Sequence, residues 1–190
     1  MRCFVALQVE DTARQALEPW LTEARERFRD LSVTPPENLH LTLAFLGELD
    51  ESGVEAARAA TTQAAEVGDG GWLLQWGGTG AFPSMRRPRV LWIGVDDAGG
   101  RLAAVHAALR GELVERGLPV EERRFHPHLT LARFKRPASG ARLREIIAGV
   151  EAAPAPAPAQ VSGLVLYQSK LGRPYAVHTP LMTVVFGSTG

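Results

Sequence analysis

Apolar and polar residues alternate in two short stretches of the chain that have the same sequence. His40-Leu41-Thr42-Leu43-Ala44 recurs as His128-Leu129-Thr130-Leu131-Ala132, so the copies start 88 residues apart in a chain of 190. A period of two is typical of a strand with one buried face. We therefore expect Leu41 and Leu43 to be buried, and each histidine to share the other face with the threonine two residues later.

The pattern around the first copy predicts alternating strands and helices. An apolar run rich in strand formers precedes a segment with apolar residues at helical spacing. An Ala-rich helical segment follows the repeat, and glycines end it. The predicted elements are a strand over residues 3–9, a helix from Asp11 or Thr12 to about Arg29, a turn over 34–38, the repeat strand over 39–46, a helix over 52–67, and a strand over 72–76 followed by a loop or bulge over 77–80.

The second half of the chain repeats this order. Its elements are a strand over 90–95, a helix over 102–116, the repeat strand over 125–134, a helix over 141–150, a stiff Ala-Pro linker over 152–159, and strands over 161–168 and 175–185. The order predicts an α+β fold in which two similar lobes are related by an approximate two-fold axis. Each lobe would place a His-Thr strand along a shared groove, with the helices outside. We expect one domain over 1–190, with lobes of about 1–80 and 81–190 that could exchange their terminal strands.

Composition and charge describe an ordinary globular chain. Apolar residues make up 45% and charged residues 22%, and the formal net charge is zero. A neutral chain does not coat nucleic acid through bulk charge, although a local basic patch remains open. Cys3 is the only cysteine, so no intrachain disulfide can form. Glu10 and Asp11 interrupt the N-terminal apolar run, and no run has the ~18 apolar residues of a membrane span. We expect a cytoplasmic protein without a membrane segment.

Two histidines across one groove suit acid–base chemistry. Imidazole titrates near pH 6.5, so one ring can accept a proton while the other donates one. The threonine hydroxyls can donate hydrogen bonds to an anion that gains charge in the transition state, and phosphate is the obvious candidate. Neither copy carries a carboxylate beside its histidine, which removes the third member of a serine-hydrolase triad.

A metal site is the alternative use of these histidines. His126 and His128 are two residues apart on one strand face, and His40 could complete a set of three. No acidic residue or cysteine lies near either repeat to neutralise a metal ion, so we favour the acid–base interpretation and expect no metal. His126 would then shape or charge the rim of the groove. The sequence assigns no role to His178.

Two residues at the same offset from the histidines are harder to place. Arg133 follows His128 by five residues, so an unbulged strand would direct it away from the histidine face. Contact with a phosphate would require the strand to twist or end there. Phe45 has the same offset from His40; a base could stack on it if it were exposed, but we expect it in the core. The role of the basic cluster Arg86-Arg87-Pro88-Arg89 stays open.

Further residues, around both repeats and elsewhere in the chain, carry a resemblance to a known family. They are Pro36-Glu37-Asn38-Leu39 before the first copy and Phe45-Leu46-Gly47 after it; Phe82-Pro83 and Arg87-Pro88-Arg89-Val90-Leu91-Trp92; Arg124-Phe125 and Pro127 before the second copy and Arg133 after it; and residues 2–7 and 169–172. With these residues the chain resembles the 2H phosphoesterase superfamily. More closely, it resembles the bacterial and archaeal RNA 2′,3′-cyclic phosphodiesterases, also called 2′-5′ RNA ligases of the ThpR/LigT type.

The resemblance implies a bilobal 2H phosphoesterase fold with antiparallel sheets and a reaction without metal or cofactor. The expected reaction is hydrolysis of an RNA 2′,3′-cyclic phosphate end to a 2′-phosphate. His40 matches the proton donor and His128 the proton acceptor, and Thr42, Thr130 and Arg133 would bind the phosphate. The same chemistry in reverse would join RNA through a 2′-5′ bond without ATP.

The expected partner is therefore RNA with a cyclic phosphate end, with tRNA fragments as one source. We expect a monomer. Two alternatives remain: a phosphodiesterase for small cyclic nucleotides, and a non-catalytic nucleotide- or RNA-binding module.

Overall fold

Strands and helices follow one another in the predicted order. The structure is a computed structural model that describes residues 1–9, 11–122, 124–152, 157–173 and 175–187. The predicted α+β class is confirmed. Over the described ranges the elements are β1 (Arg2–Val9), α1 (Asp11–Arg27), β2 (Leu31–Val33), β3 (Leu41–Glu48), α2 (Glu51–Ala65), β4 (Trp72–Phe82), β5 (Val90–Asp96), α3 (Arg101–Glu115), β6 (His128–Phe134), α4 (Gly140–Ala152), β7 (Ala159–Lys170) and β8 (Val177–Val185).

All the strands of the described residues belong to one antiparallel sheet that returns on itself. The hydrogen-bonded order runs β1-β3-β6-β5-β4-β7, and β7 pairs with β1 as well. β8 extends the sheet from β7, and β2 pairs with β6. The repeat strands β3 and β6 are neighbours and pair at Leu41 and Leu129. The fold therefore brings the two copies of the motif together, although they are far apart in the sequence.

Strands from both halves of the chain are mixed within this sheet. The C-terminal β7 lies between the N-terminal β1 and β8, and β2 from the first half pairs with β6 from the second. β4 crosses residue 80, where we placed the lobe boundary. The division into two lobes stays a prediction.

The helices each bury one apolar face. In α3 the residues at helical spacing are buried, namely Leu102, Val105, Leu109 and Leu113. In the repeat strands Leu41 and Leu129 are fully buried, as the alternating pattern predicted. One continuous core therefore supports the strands that carry the motifs.

Element boundaries differ from the prediction where proline or an extra residue intervenes. Both repeat strands begin later than expected, because a 3₁₀ turn over Pro36–Asn38 precedes β3 and Pro127, which has no N–H to donate, precedes β6. The region 77–80 is a bulge inside a continuous β4, not a loop. Part of the predicted Ala-Pro linker, residues 153–156, lies outside the described residues.

Candidate active site

His40 and His128 are held in the same way, each by the main chain two residues earlier. Nδ1 of His40 lies 2.8 Å from the carbonyl oxygen of Asn38, and Nδ1 of His128 lies 2.6 Å from that of His126. A carbonyl oxygen only accepts, so Nδ1 is the protonated nitrogen that donates in both rings. Within the described chain, Nε2 of neither ring forms a hydrogen bond, and neither Nε2 is an unpartnered buried atom. Nε2 is therefore the atom that each ring offers for proton transfer.

Three rings from other strands surround His40. The centroid of Phe4 on β1 lies 4.8 Å from that of His40, Tyr167 on β7 lies at 6.3 Å, and His178 on β8 meets it edge-on at 5.2 Å. The Asn38 amide donates to a main-chain carbonyl just before β8 at 2.9 Å. Asn38 thus ties the segment that orients His40 to the strand that carries His178.

His128 has an equivalent ring environment. Phe82 on β4 meets it edge-on with a centroid distance of 4.9 Å, Trp92 on β5 lies at 6.2 Å, and His126 at 6.3 Å. Trp92 also contacts His126 edge-on at 4.6 Å. Each candidate catalytic histidine therefore packs among two aromatic rings and one further histidine, which restricts how its imidazole can turn.

A β-bulge in each repeat strand decides which later side chains share the histidine face. The register between β1 and β3 skips Leu43, and the register between β5 and β6 skips Leu131. One extra residue reverses the alternation that follows it. The residues five positions after the histidines, Phe45 and Arg133, therefore return to the histidine face, and both are exposed.

This geometry corrects one expectation and explains another. Phe45 is not in the core: 48% of its surface is exposed, because the bulge at Leu43 turns it outward. Arg133 does not point away from the histidine face, as it would in an unbulged strand, because the bulge at Leu131 precedes it. Its charge acts on both His40 and His128.

The protein environment favours the neutral form of both imidazoles. Burial lowers the pKa of His40 to about 4, and the charges of His178, His128 and Arg133 act in the same direction. The hydrogen bond to Asn38 opposes this shift. Burial also lowers the pKa of His128. The hydrogen bond to the carbonyl oxygen of His126 opposes this shift, and the charges of His126 and Arg133 add to it. In the protein alone, both rings are therefore neutral at pH 7.

The register of β3 and β6 sets where the two threonines lie relative to the histidines. Leu41 pairs with Leu129 in an antiparallel register, which places His40 across from Thr130 and Thr42 across from His128. Both threonines are half-buried, and their hydroxyls make no side-chain hydrogen bond within the described residues. Two hydroxyl donors next to the histidines are therefore free to bind a ligand.

The three histidines considered as metal ligands in the sequence analysis do not form a metal site. Across the described ranges, no group of three or more histidine, cysteine, aspartate or glutamate side chains is arranged to hold a metal ion. His40, His126 and His128 thus do not form the three-histidine set that was the alternative.

Sequence reasoning missed the rings around the two histidines. Phe4 lies within a continuous apolar run, which predicts a buried strand but not which of its side chains contacts a histidine. His178 had no assigned role, yet it contacts His40. Its contact depends on pairing between β7 and β8, and no local pattern indicates that pairing.

Comparison with known proteins places this geometry in a family. A profile of the 2′-5′ RNA ligase superfamily matches residues 13–173. The chain belongs to this superfamily. A Thermus thermophilus relative named RNA 2′,3′-cyclic phosphodiesterase is 34% identical over 95% of this chain and 88% of its own length. An Archaeoglobus fulgidus relative with the same name is 36% identical over 72% of this chain and 74% of its own length.

Solved structures of the superfamily share the whole fold. The crystal structure of a Thermus thermophilus protein superimposes with a TM-score of 0.78 at 29% identity and covers 100% of both chains. The Escherichia coli LigT structure with bound 3′-AMP gives a TM-score of 0.74 at 25% identity, over 100% of this chain and 98% of that one. The resemblance to the 2H phosphoesterases is thereby confirmed. Among the described residues, no helix is both long and apolar enough to span a membrane.

Proposed function

We propose that the protein hydrolyses RNA 2′,3′-cyclic phosphate ends to 2′-phosphates by acid–base catalysis with two histidines. The observation that carries this proposal is the matched pair of imidazoles. In each ring, Nδ1 is fixed by a main-chain carbonyl and Nε2 is left for proton transfer. The relatives that span most of this chain carry the name of this activity.

His128 is the proton acceptor in this mechanism. Its pKa lies below the ordinary value, so the neutral form that a base requires is present at pH 7. Nε2 of His128 removes a proton from water as the water oxygen attacks phosphorus in line with the bond to the 3′ oxygen. The new P–O bond forms as the P–O3′ bond breaks.

His40 is the proton donor, and it needs the substrate to become one. With a pKa of about 4 it is almost wholly neutral at pH 7 in the protein alone. A bound phosphodiester carries a negative charge, and an adjacent opposite charge raises an imidazole pKa. Nε2 of His40 then delivers its proton to the departing 3′ oxygen. The proton gained by His128 and the proton lost by His40 leave the net charge of the pair unchanged.

The remaining groups stabilise the charge that develops on the phosphate. The hydroxyls of Thr42 and Thr130 donate to the non-bridging oxygens, and the guanidinium of Arg133 adds a fixed positive charge on the same face. Phe45, exposed at the equivalent position of the other strand, offers a surface on which the terminal base can stack.

The same groups serve the reverse reaction. A 5′-hydroxyl that attacks in place of water would join two RNA ends through a 2′-5′ bond, and the proton transfers would need neither ATP nor a metal. We propose hydrolysis as the forward direction, tRNA fragments as one source of substrate, and a cytoplasmic monomer as the working form.

The test uses a short RNA that ends in a 2′,3′-cyclic phosphate. It is incubated with the wild type and with His128→Ala, each in EDTA, and the end groups are separated. We expect a 2′-phosphate from the wild type and almost none from the variant. Turnover only after divalent metal is restored would contradict the metal-free proposal. Binding without turnover in either condition would identify a binding module instead.

A further inference from the structure

Four exposed arginines lie in the loop between β4 and β5 and near the end of β6, the strand that begins at His128. Arg86, Arg87 and Arg89 belong to the loop between β4 and β5, and Arg133 lies near the end of β6. We call this group the basic corner. Within the described chain, none of these four side chains forms an ion pair or a side-chain hydrogen bond. Their positive charges are therefore available to a ligand.

Main-chain hydrogen bonds fix the basic corner against the strands that border His128. The N–H of Arg89 donates to the carbonyl of Phe82 at 2.7 Å, and its own carbonyl accepts from the N–H of Phe134 at 2.9 Å. Phe82 is the residue whose ring meets His128 edge-on. Arg133 pairs with the first residue of β5, which directly follows Arg89. These hydrogen bonds hold the loop against the strands that border His128.

The first copy of the motif lacks this concentration of charge. Phe45 occupies the position that corresponds to Arg133, and Glu48 lies eight residues after His40, where the second copy has Arg136. On the His40 side, Lys170 at the end of β7 and Arg173 just after it are exposed cations. Two motifs with the same five residues thus lie in unlike electrostatic surroundings.

A single RNA strand presents one negative phosphate per nucleotide, and unpaired arginines bind such a chain through charge. The protein as a whole has no net charge, so only a local group can provide this attraction. We infer that the RNA strand preceding the cyclic end leaves the groove over the basic corner, on the His128 side. The nature of the reacting end rests on the proposed function; the path of the strand rests on the charges.

The test compares two matched double variants. Arg86→Ser with Arg87→Ser removes two exposed cations from the basic corner, and Lys170→Ser with Arg173→Ser removes two from the His40 side. Each pair is combined with His128→Ala to prevent turnover, and binding of a fluorescent ten-nucleotide RNA with a 2′,3′-cyclic phosphate end is measured over a series of salt concentrations. Cytidine 2′,3′-cyclic monophosphate serves as a substrate without a strand, in proteins that retain His128.

We expect the basic-corner variant to bind the RNA more weakly and to lose about 0.7 from its log–log salt slope for each phosphate contact removed. Its turnover of the mononucleotide should equal that of the wild type. An unchanged slope, or an equal loss in the Lys170/Arg173 variant, would overturn the inference. If the wild type converts neither substrate, the proposed function fails, while the binding comparison still decides the path of the strand.

Discussion

Leu41 pairs with Leu129, so the two copies of the motif meet at their second residues. Because the register is antiparallel, each histidine faces the threonine of the other copy across this junction. The pair is fully buried, so the core fixes the relative position of the strands that carry both acid–base groups. The shared site is thus a property of the junction and of neither copy alone.

Replacing either imidazole should abolish most of the activity without unfolding the protein. We expect His40→Ala and His128→Ala each to lower the rate of cyclic phosphate hydrolysis by about 10²–10⁴, the usual contribution of a positioned acid or base. Circular dichroism should show a native spectrum in both variants, since neither histidine belongs to the buried apolar core. Loss of the folded signal would assign the histidines a structural role instead.

The reaction rate should show a bell-shaped dependence on pH, and this profile should shift along the pH axis when substrate binds. The profile of kcat/KM reports the protein alone, where the pKa of His40 is about 4 and that of His128 is below its ordinary 6.5. Its maximum should therefore lie between these values. The bound phosphate raises both pKa values, so both limbs of the kcat profile should lie at higher pH. A flat kcat/KM profile from pH 5 to 9 would contradict this assignment.

The charge of Arg133 can be separated from its geometry. Arg133→Gln should reduce kcat/KM by roughly 10²-fold, in the range typical of one lost donor to a developing anion. The positive charge lowers the pKa of both histidines, so its removal should also move the kcat/KM limbs to higher pH. Arg133→Lys keeps the charge and should leave the limbs in place, although it lacks the paired N–H donors that a guanidinium presents to a phosphate. Identical limbs in the wild type and Arg133→Gln would show that Arg133 does not act on the histidines.

The extent of sequence prediction differs between these residues for physical reasons. His40, Thr42, His128 and Thr130 could be proposed as site residues because the motif is repeated and its alternation with leucine predicts which face is buried. The orientation of Arg133 could not, because a bulge depends on register with a neighbouring strand and leaves no local signal. The same holds for the rings around His40, which come from β1, β7 and β8 and meet only after the sheet has closed.

The contribution of Trp92 to the position of His128 can be tested with a substitution that displaces the Trp92 ring. A Cβ at Gly80 would lie 2.3 Å from the ring of Trp92, whereas a Cβ at Gly78 would meet nothing within 4 Å. Gly80→Ala should therefore displace Trp92, destabilise the fold by about 1–3 kcal/mol and lower kcat. Gly78→Ala, two residues away in the same strand, is the matched control and should retain wild-type activity. Urea denaturation and steady-state kinetics measure both effects; equal behaviour of the two variants would mean that Trp92 does not support the site.

The buried imidazole of His40 should make the protein sensitive to acid. In the unfolded chain this ring binds a proton near pH 6.5, but in the folded protein it does so only near pH 4. Between these values the unfolded state holds more protons, so the free energy of unfolding must decrease as the pH falls. At pH 5 the contribution of His40 is about 1–2 kcal/mol. Urea denaturation at pH 7 and pH 5 should show that His40→Gln loses less stability than the wild type by this amount. The same pH dependence in both proteins would show that His40 is protonated as readily in the folded state as in the unfolded chain.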